Sequence, residues 1–159
     1  MTNHPLESPA AKTGMLIRKP VAEVFEAFVN PEITSKFWFS KGTSKLEEGK
    51  QIEWIWEMYN FKLPVNVKKI DPNKTIVVEW GNYSNMSTVE WTFTSLGDKG
   101  TYVSITNSGF QGNPAELIAQ VSDSTKGFTF VLAGLKAWLE HGIQLNLVAD
   151  AFPSELHQA

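Results

Sequence analysis

The feature that most constrains this chain is an alternation of apolar and other side chains with a period of two, recurring in five segments between residues 52 and 106. Ile52, Trp54, Trp56 and Met58 hold one parity, with Glu53 and Glu57 on the other. Leu63, Val65 and Val67 alternate with Lys62, Asn66 and Lys68, and Ile76, Val78 and Trp80 with Val77 and Glu79. Val89, Trp91 and Phe93 alternate with Glu90, Thr92 and Thr94, and Val103 and Ile105 with Tyr102, Ser104 and Thr106. Successive side chains of a strand point to opposite faces, so this pattern predicts an antiparallel sheet with one buried and one wet face. Turn-forming residues separate the segments: Tyr59-Asn60, Asp71-Pro72-Asn73, Gly81-Asn82 and Gly97-Asp98-Lys99-Gly100. A slip of one residue would turn Glu53, Glu57, Glu79 and Glu90 inward, and the agreement of five segments on one parity argues against it.

The period changes on either side of this block. Thr13–Lys19 reads as a first strand, and Pro20 then opens a helix whose Val21, Val24, Phe25 and Phe28 fall on one face. Asn30-Pro31 stops that helix and starts a short second one, with Asn30 as its cap. After Gly109, Asn113-Pro114 predicts a short helix over 114–121, and a long one is expected from about Ser124 to Leu147. Phe128, Val131, Leu132, Leu135, Trp138, Leu139 and Ile143 form its apolar stripe, and Thr129, Lys136, Glu140 and Gln144 face away. Phe130 lies off the stripe beside Ala133, Gly134, Ala137 and His141. It is either an isolated exposed ring or part of a small-residue surface that admits another element or a second copy of the chain. The economical packing lays the long helix across the apolar face of a twisted sheet, an α+β arrangement. No repeat or linker divides the chain, so one domain is expected over 13–150, with tails at 1–12 and 151–159.

Composition narrows the function. The net charge is −3 and Arg18 is the single arginine, which disfavours nucleic acid as a partner and a guanidinium clamp for anionic substrates. There is no cysteine, so neither disulfides nor thiolate chemistry enter. His4, His141 and His157 have no metal-ligand spacing, the acids share the wet face, and no GxSxG elbow or phosphate loop is present. No catalytic residue, metal or cofactor is expected. The N-terminal residues lack the pattern of a secretory signal and no apolar run reaches the ~18 residues of a span, so a cytoplasmic protein is expected.

The compositional oddity is aromatic: 12% of residues, with six tryptophans and ten phenylalanines, against only 19% charged. Trp54, Trp56, Trp80 and Trp91 share the inward parity with Val78 and Phe93, and they face Phe128, Leu132 and Leu135 of the long helix. Two readings stand. Either these side chains line a cavity that a small apolar ligand fills, with indole N–H groups orienting it, or they are a packed core. Trp38 and Phe39, after the second short helix, are either a pocket mouth or a staple holding the helices to the sheet.

Four stretches carry a family resemblance: "KPVAEVFEAFVNPEITSKFW", "KKIDPNKTIVVEW", "STVEWTFTSLGDKGTYVSITNSGF" and "KGFTFVLAGLKAWLEHG". In their order and local motifs they resemble the START-like or SRPBCC superfamily, and within it the homologues of the heat shock protein 90 ATPase activator. Where that family often has two tryptophans after the first helices, this chain has Phe37-Trp38. Where it often has Gly-Trp in the last helix, this chain has Gly127-Phe128. The resemblance implies the helix-grip fold, also called Bet v 1-like: a curved antiparallel sheet around a long C-terminal helix, with two short helices after the first strand. It implies a cavity between sheet and helix and one of three roles: carrying a small hydrophobic, aromatic or lipid-like ligand, assisting a heat shock protein 90 family ATPase, or cyclising polyketides. The expected partners are therefore a small hydrophobic ligand, a chaperone and a second copy of the chain. Binding without chemistry comes first, because the inward-facing residues are almost wholly apolar and cyclase chemistry needs a polar group to move protons.

Overall fold

The alternating segments form one antiparallel sheet. In the computed structural model, which describes residues 9–82 and 84–156, seven strands are ordered β1-β7-β6-β5-β4-β3-β2. They are β1 (Ala11–Ile17), β2 (Lys41–Gly42), β3 (Gln51–Trp56), β4 (Phe61–Asp71), β5 (Thr75–Asn82), β6 (Asn85–Ser95) and β7 (Thr101–Ser108). Cross-strand pairs such as Val65 with Trp80, Val78 with Val89, and Trp91 with Ile105 bring the predicted inward residues together. Ile52, Val65, Val67, Ile76, Val78, Val89, Val103 and Ile105 are all buried. On the other face Glu53 and Glu79 reach Lys62 and Lys68 at 3.9 and 3.8 Å, solvated pairs of small energetic weight.

One irregularity preserves the pattern. Val67 and Ile70 both pack on the core although an odd spacing separates them. A register shift between Val67 and Lys69 absorbs the extra residue, as a bulge does, and leaves Lys68 and Lys69 exposed.

The helices are α1 (Val21–Val29), α2 (Pro31–Thr34), α3 (Pro114–His141) and α4 (Leu147–Ala151). α1 buries Val24, Phe25, Ala27 and Phe28, with Pro20 just before its first residue. Asn30 caps α2 by accepting the Glu32 N–H at 3.1 Å. Thr34 is fully buried, and its hydroxyl donates to the Ala27 carbonyl at 2.6 Å, fastening α2 to α1.

Three expectations shift. β1 starts two residues earlier than predicted, because β7 runs to Ser108 and offers Asn107 as partner to Ala11. Most of the predicted tails, with His4 and His157, lies outside the described residues. Met58 leaves the strand face, since a 3-10 turn at Glu57–Tyr59 closes on left-handed Asn60 and exposes it. The two C-terminal helices are one. The Ser122–Thr125 stretch is not a break, because Thr125 donates back to the Val121 carbonyl at 2.7 Å and Ser124 donates to Asn107, leaving the helical backbone bonds free to continue. An Asn113–Glu116 capping box starts α3, and Gly142 at φ +66° stops it, so Ile143 lies beyond the helix and is exposed.

α3 lies across the inward face of the sheet and buries Phe128, Val131, Leu132, Gly134 and Leu135. Gly134 admits the backbone of Phe37: a Cβ there would stand 3.1 Å from the Phe37 carbonyl oxygen. The small residues near Phe130 thus serve, at Gly134, an internal contact, and Phe130 itself is half-buried with its ring 6.4 Å from that of Phe152. Toward its C-terminus α3 is fixed to β1. Lys136 donates to the Leu16 carbonyl at 3.1 Å and to Glu140 at 2.7 Å, and Glu140 accepts the Arg18 N–H at 2.9 Å. Burial alone pushes the Glu140 carboxyl up, but the Arg18 N–H and the Lys136 ammonium outweigh it and hold the group below the ordinary carboxylate range.

Two outcomes are expected. Gly100 has φ +121°, and an added Cβ would strike the Ile17 carbonyl, so Gly100→Ala should lower stability by about 2 kcal/mol or more in urea unfolding. Glu140 has a depressed folded pKa, so its contribution is present above the unfolded carboxylate pKa and is lost as pH falls through the folded value. Glu140→Gln should therefore be less stable than the unmodified chain at neutral pH, with the difference shrinking on acidification through that range.

Candidate functional site: a cleft between sheet and helix

Because α3 is held close to β1 near its C-terminus, its N-terminal half stands away from the β5–β6 hairpin. The gap is a cleft of about 450 Å³. Leu63 of β4, Trp80 of β5, Ser87 of β6 and Asn107 of β7 form the sheet wall, and Ser124, Gly127, Phe128 and Val131 form the helix wall. Trp38 and Phe110 also line it, as do Val148 and Phe152 from the C-terminal segment. Exposed Asn85 and Asp123 mark the rim.

Trp38 joins the walls. Its ring centroid lies 4.8 Å from Trp54, 5.8 Å from Trp80, 6.1 Å from Trp91 and 5.6 Å from Phe128. These rings meet tilted or edge-on, geometries that their quadrupoles favour. Phe39 stacks on Trp54 at 5.1 Å. The segment after α2 thus both lines the cleft and holds the short helices to the sheet.

The structure divides the ten residues singled out from the sequence. Trp38, Trp80 and Phe128 are on the cleft wall. Trp54, Trp56, Val78, Trp91, Phe93, Leu132 and Leu135 are buried in the layer behind it, at most 7% exposed. Among the described residues no partner reaches the buried Trp91 indole N–H. Packing of that ring against Phe28, Trp38 and Phe128 therefore offsets a donor left unpaired.

The periodicity argument missed the polar end. Asn107 is only 2% exposed. Its Nδ2 donates to Ser87 Oγ at 3.0 Å and to the Thr88 carbonyl at 2.8 Å, and its Oδ1 accepts the Ser124 hydroxyl at 2.8 Å. The signal was available, since Thr101, Val103, Ile105 and Asn107 share one parity, as do Ser87, Val89 and Trp91. Only the apolar members of these series contribute to the hydrophobic alternation. Phe152, placed in a tail from sequence, also lines the cleft. The Tyr59 hydroxyl donates to its carbonyl at 2.5 Å, and the Lys126 ammonium sits 4.8 Å from the centre of its ring. Partial burial pushes the Tyr59 phenol up. Of the histidines only His141 is described; it is exposed at the end of α3, away from the cleft. Among the described residues no group of three His, Asp or Glu side chains has metal-binding geometry, and no helix is long and apolar enough to cross a membrane.

Residues 18–140 match the family described as Activator of Hsp90 ATPase homolog 1-like protein. The chain belongs to this family. Among solved structures it is similar to protein SSP2350 from Staphylococcus saprophyticus, with 31% identity, 86% of this chain and 96% of that one covered, and a TM-score of 0.75. The Aha1 dimer from Colwellia psychrerythraea shares the fold at 16% identity, covering 84% of this chain and 98% of that one, with a TM-score of 0.73. DynU16, from the dynemicin biosynthetic locus, does so at 19% identity and a TM-score of 0.74, with 85% of this chain covering 48% of that protein. No curated protein matches the chain. As an Hsp90-activator homologue the chain has the helix-grip fold that the resemblance implied, a fold of ligand-binding proteins.

Trp38 contributes to both the core and the cleft wall, so Trp38→Ala should cost about 3–5 kcal/mol, read from the shift in the denaturation midpoint.

Proposed function

We propose that this chain binds a small, largely apolar molecule in the cleft between α3 and the β5–β6 hairpin, without transforming it. The observation that carries this reading is the cleft itself: about 450 Å³, walled by Trp38, Trp80 and Phe128 and ending in a buried polar network at Asn107. Its size and its mixture of aromatic walls with a few fixed polar groups are those of small-molecule sites. The driving force is removal of apolar surface from water, worth roughly 25 cal/mol per Å². Binding rather than turnover is favoured because, among the described lining residues, the sole acidic or basic side chain is Asp123 on the exposed rim. Trp54, Trp56, Val78, Trp91, Phe93, Leu132 and Leu135 then act from behind, by keeping the wall rigid.

Family membership favours a second reading, partnership with an Hsp90-type ATPase. It predicts that the purified chain changes ATP turnover of such a chaperone, and unchanged turnover with no complex in a pull-down removes it. The Colwellia relative is a dimer; sedimentation of this chain tests whether a second copy is also a partner.

Gly127 gives the cleanest test of the cleft. It lines the cleft, and an added Cβ meets nothing within 4 Å. Gly127→Leu should fill the space and abolish uptake of apolar ligands, while raising stability by up to about 1 kcal/mol because glycine is a poor helix former. Native mass spectrometry of protein purified from its own cells should show a bound species that the variant lacks. Retention of that species by the variant would remove the cleft as its site.

A further inference from the structure

The cleft also carries information about the head group of its ligand. We infer that it selects uncharged amphiphiles bearing a hydroxyl group and rejects carboxylates, an inference that rests on the binding reading above. Two independent observations support it, one of hydrogen-bond capacity and one of charge.

At the buried end Asn107 is committed, since both of its amide hydrogens are donated within the protein and its carbonyl oxygen accepts from Ser124. Its two serine partners are not. Ser87 accepts from Asn107, and among the described residues its own hydroxyl proton meets no acceptor. Ser124 gives its proton to Asn107, so its oxygen keeps lone pairs free. Both serines line the cleft. Asn107 thereby fixes one as a donor and the other as an acceptor. A ligand hydroxyl both accepts and donates and so matches both. A carboxylate only accepts, and an ammonium only donates, so each leaves one serine unmatched.

Charge acts in the same direction. Among the described residues no lysine or arginine lines the cleft. The Arg18 backbone N–H bonds Glu140 near the far end of α3, and the Lys126 ammonium is engaged over the Phe152 ring, 4.8 Å from its centre. Among the described residues the one charge on the lining is the Asp123 carboxylate at the rim. An anion entering would lose hydration, find no cation among the described lining residues and be repelled by Asp123.

The test is calorimetric titration with 1-decanol and decanoate at pH 7.5, where decanoate is ionised. The alcohol should bind at least about tenfold more tightly. Ser87→Ala should weaken decanol about threefold to tenfold, the range of one hydrogen bond. Asp123→Lys, at an exposed helix position, should strengthen decanoate relative to decanol. Equal or tighter binding of decanoate by the unmodified chain would overturn the inference, as would indifference of decanol to Ser87→Ala. Failure of both probes to bind would remove the binding reading as well. Gly127→Leu separates the two levels: decanol binding that survives it places the probe outside the cleft and overturns both.

Discussion

The contact of the Trp38 ring with four sheet tryptophans and with Phe128 of α3 is the interaction on which the rest depends. A sheet with one apolar face and a helix with one apolar stripe can meet in many ways, because hydrophobic attraction has no direction. A large flat ring held between them has far fewer placements. Trp38 comes from neither element but from the segment after α2, whose end is fixed by Asn30, by the buried Thr34 hydroxyl and by the Phe37 backbone seated on Gly134. The two short helices are thereby part of the core, and the ring that completes the core is also a wall of the cleft.

The cleft follows from unequal attachment along α3. Lys136 and Glu140 use backbone groups on either side of the end of β1, the Leu16 carbonyl and the Arg18 N–H, so the helix cannot lift there. Near Ser124 the helix is tied instead to a side chain, that of Asn107 on β7. Gly127 adds to the opening by withholding a side chain where one would fit. The C-terminal segment returns over this region, held through the Phe152 carbonyl and ring.

How much of the site was legible varies with the signal each residue carries. Trp80 and Phe128, which line the cleft, are large, apolar and in phase with their elements. Trp54, Trp56 and Trp91 met the same criteria and lie behind the wall. Parity states which face a side chain takes, not how near the opposing helix comes at that point. Asn107, Ser87 and Ser124 were in phase and were passed over, because polar residues at buried positions resemble an end of the pattern. Phe152 had no periodic context at all; its position depends on a Tyr59 hydroxyl distant in sequence.

The sequence by itself determined most of the sheet and its inward face, the first two helices with the Asn30 cap, the apolar stripe of α3 and the family. These are local or periodic properties, set by backbone geometry and by the repeat of side chains along one element. The tertiary structure alone decided that α3 is continuous through Ser122–Thr125, since the Ser124 hydroxyl finds its partner, Asn107, only in the folded chain. It alone decided which rings are wall and which are core, and that the cleft ends in an oriented pair of serines. Those outcomes depend on distances between elements, and such distances follow from how buried polar groups far apart in the chain satisfy one another.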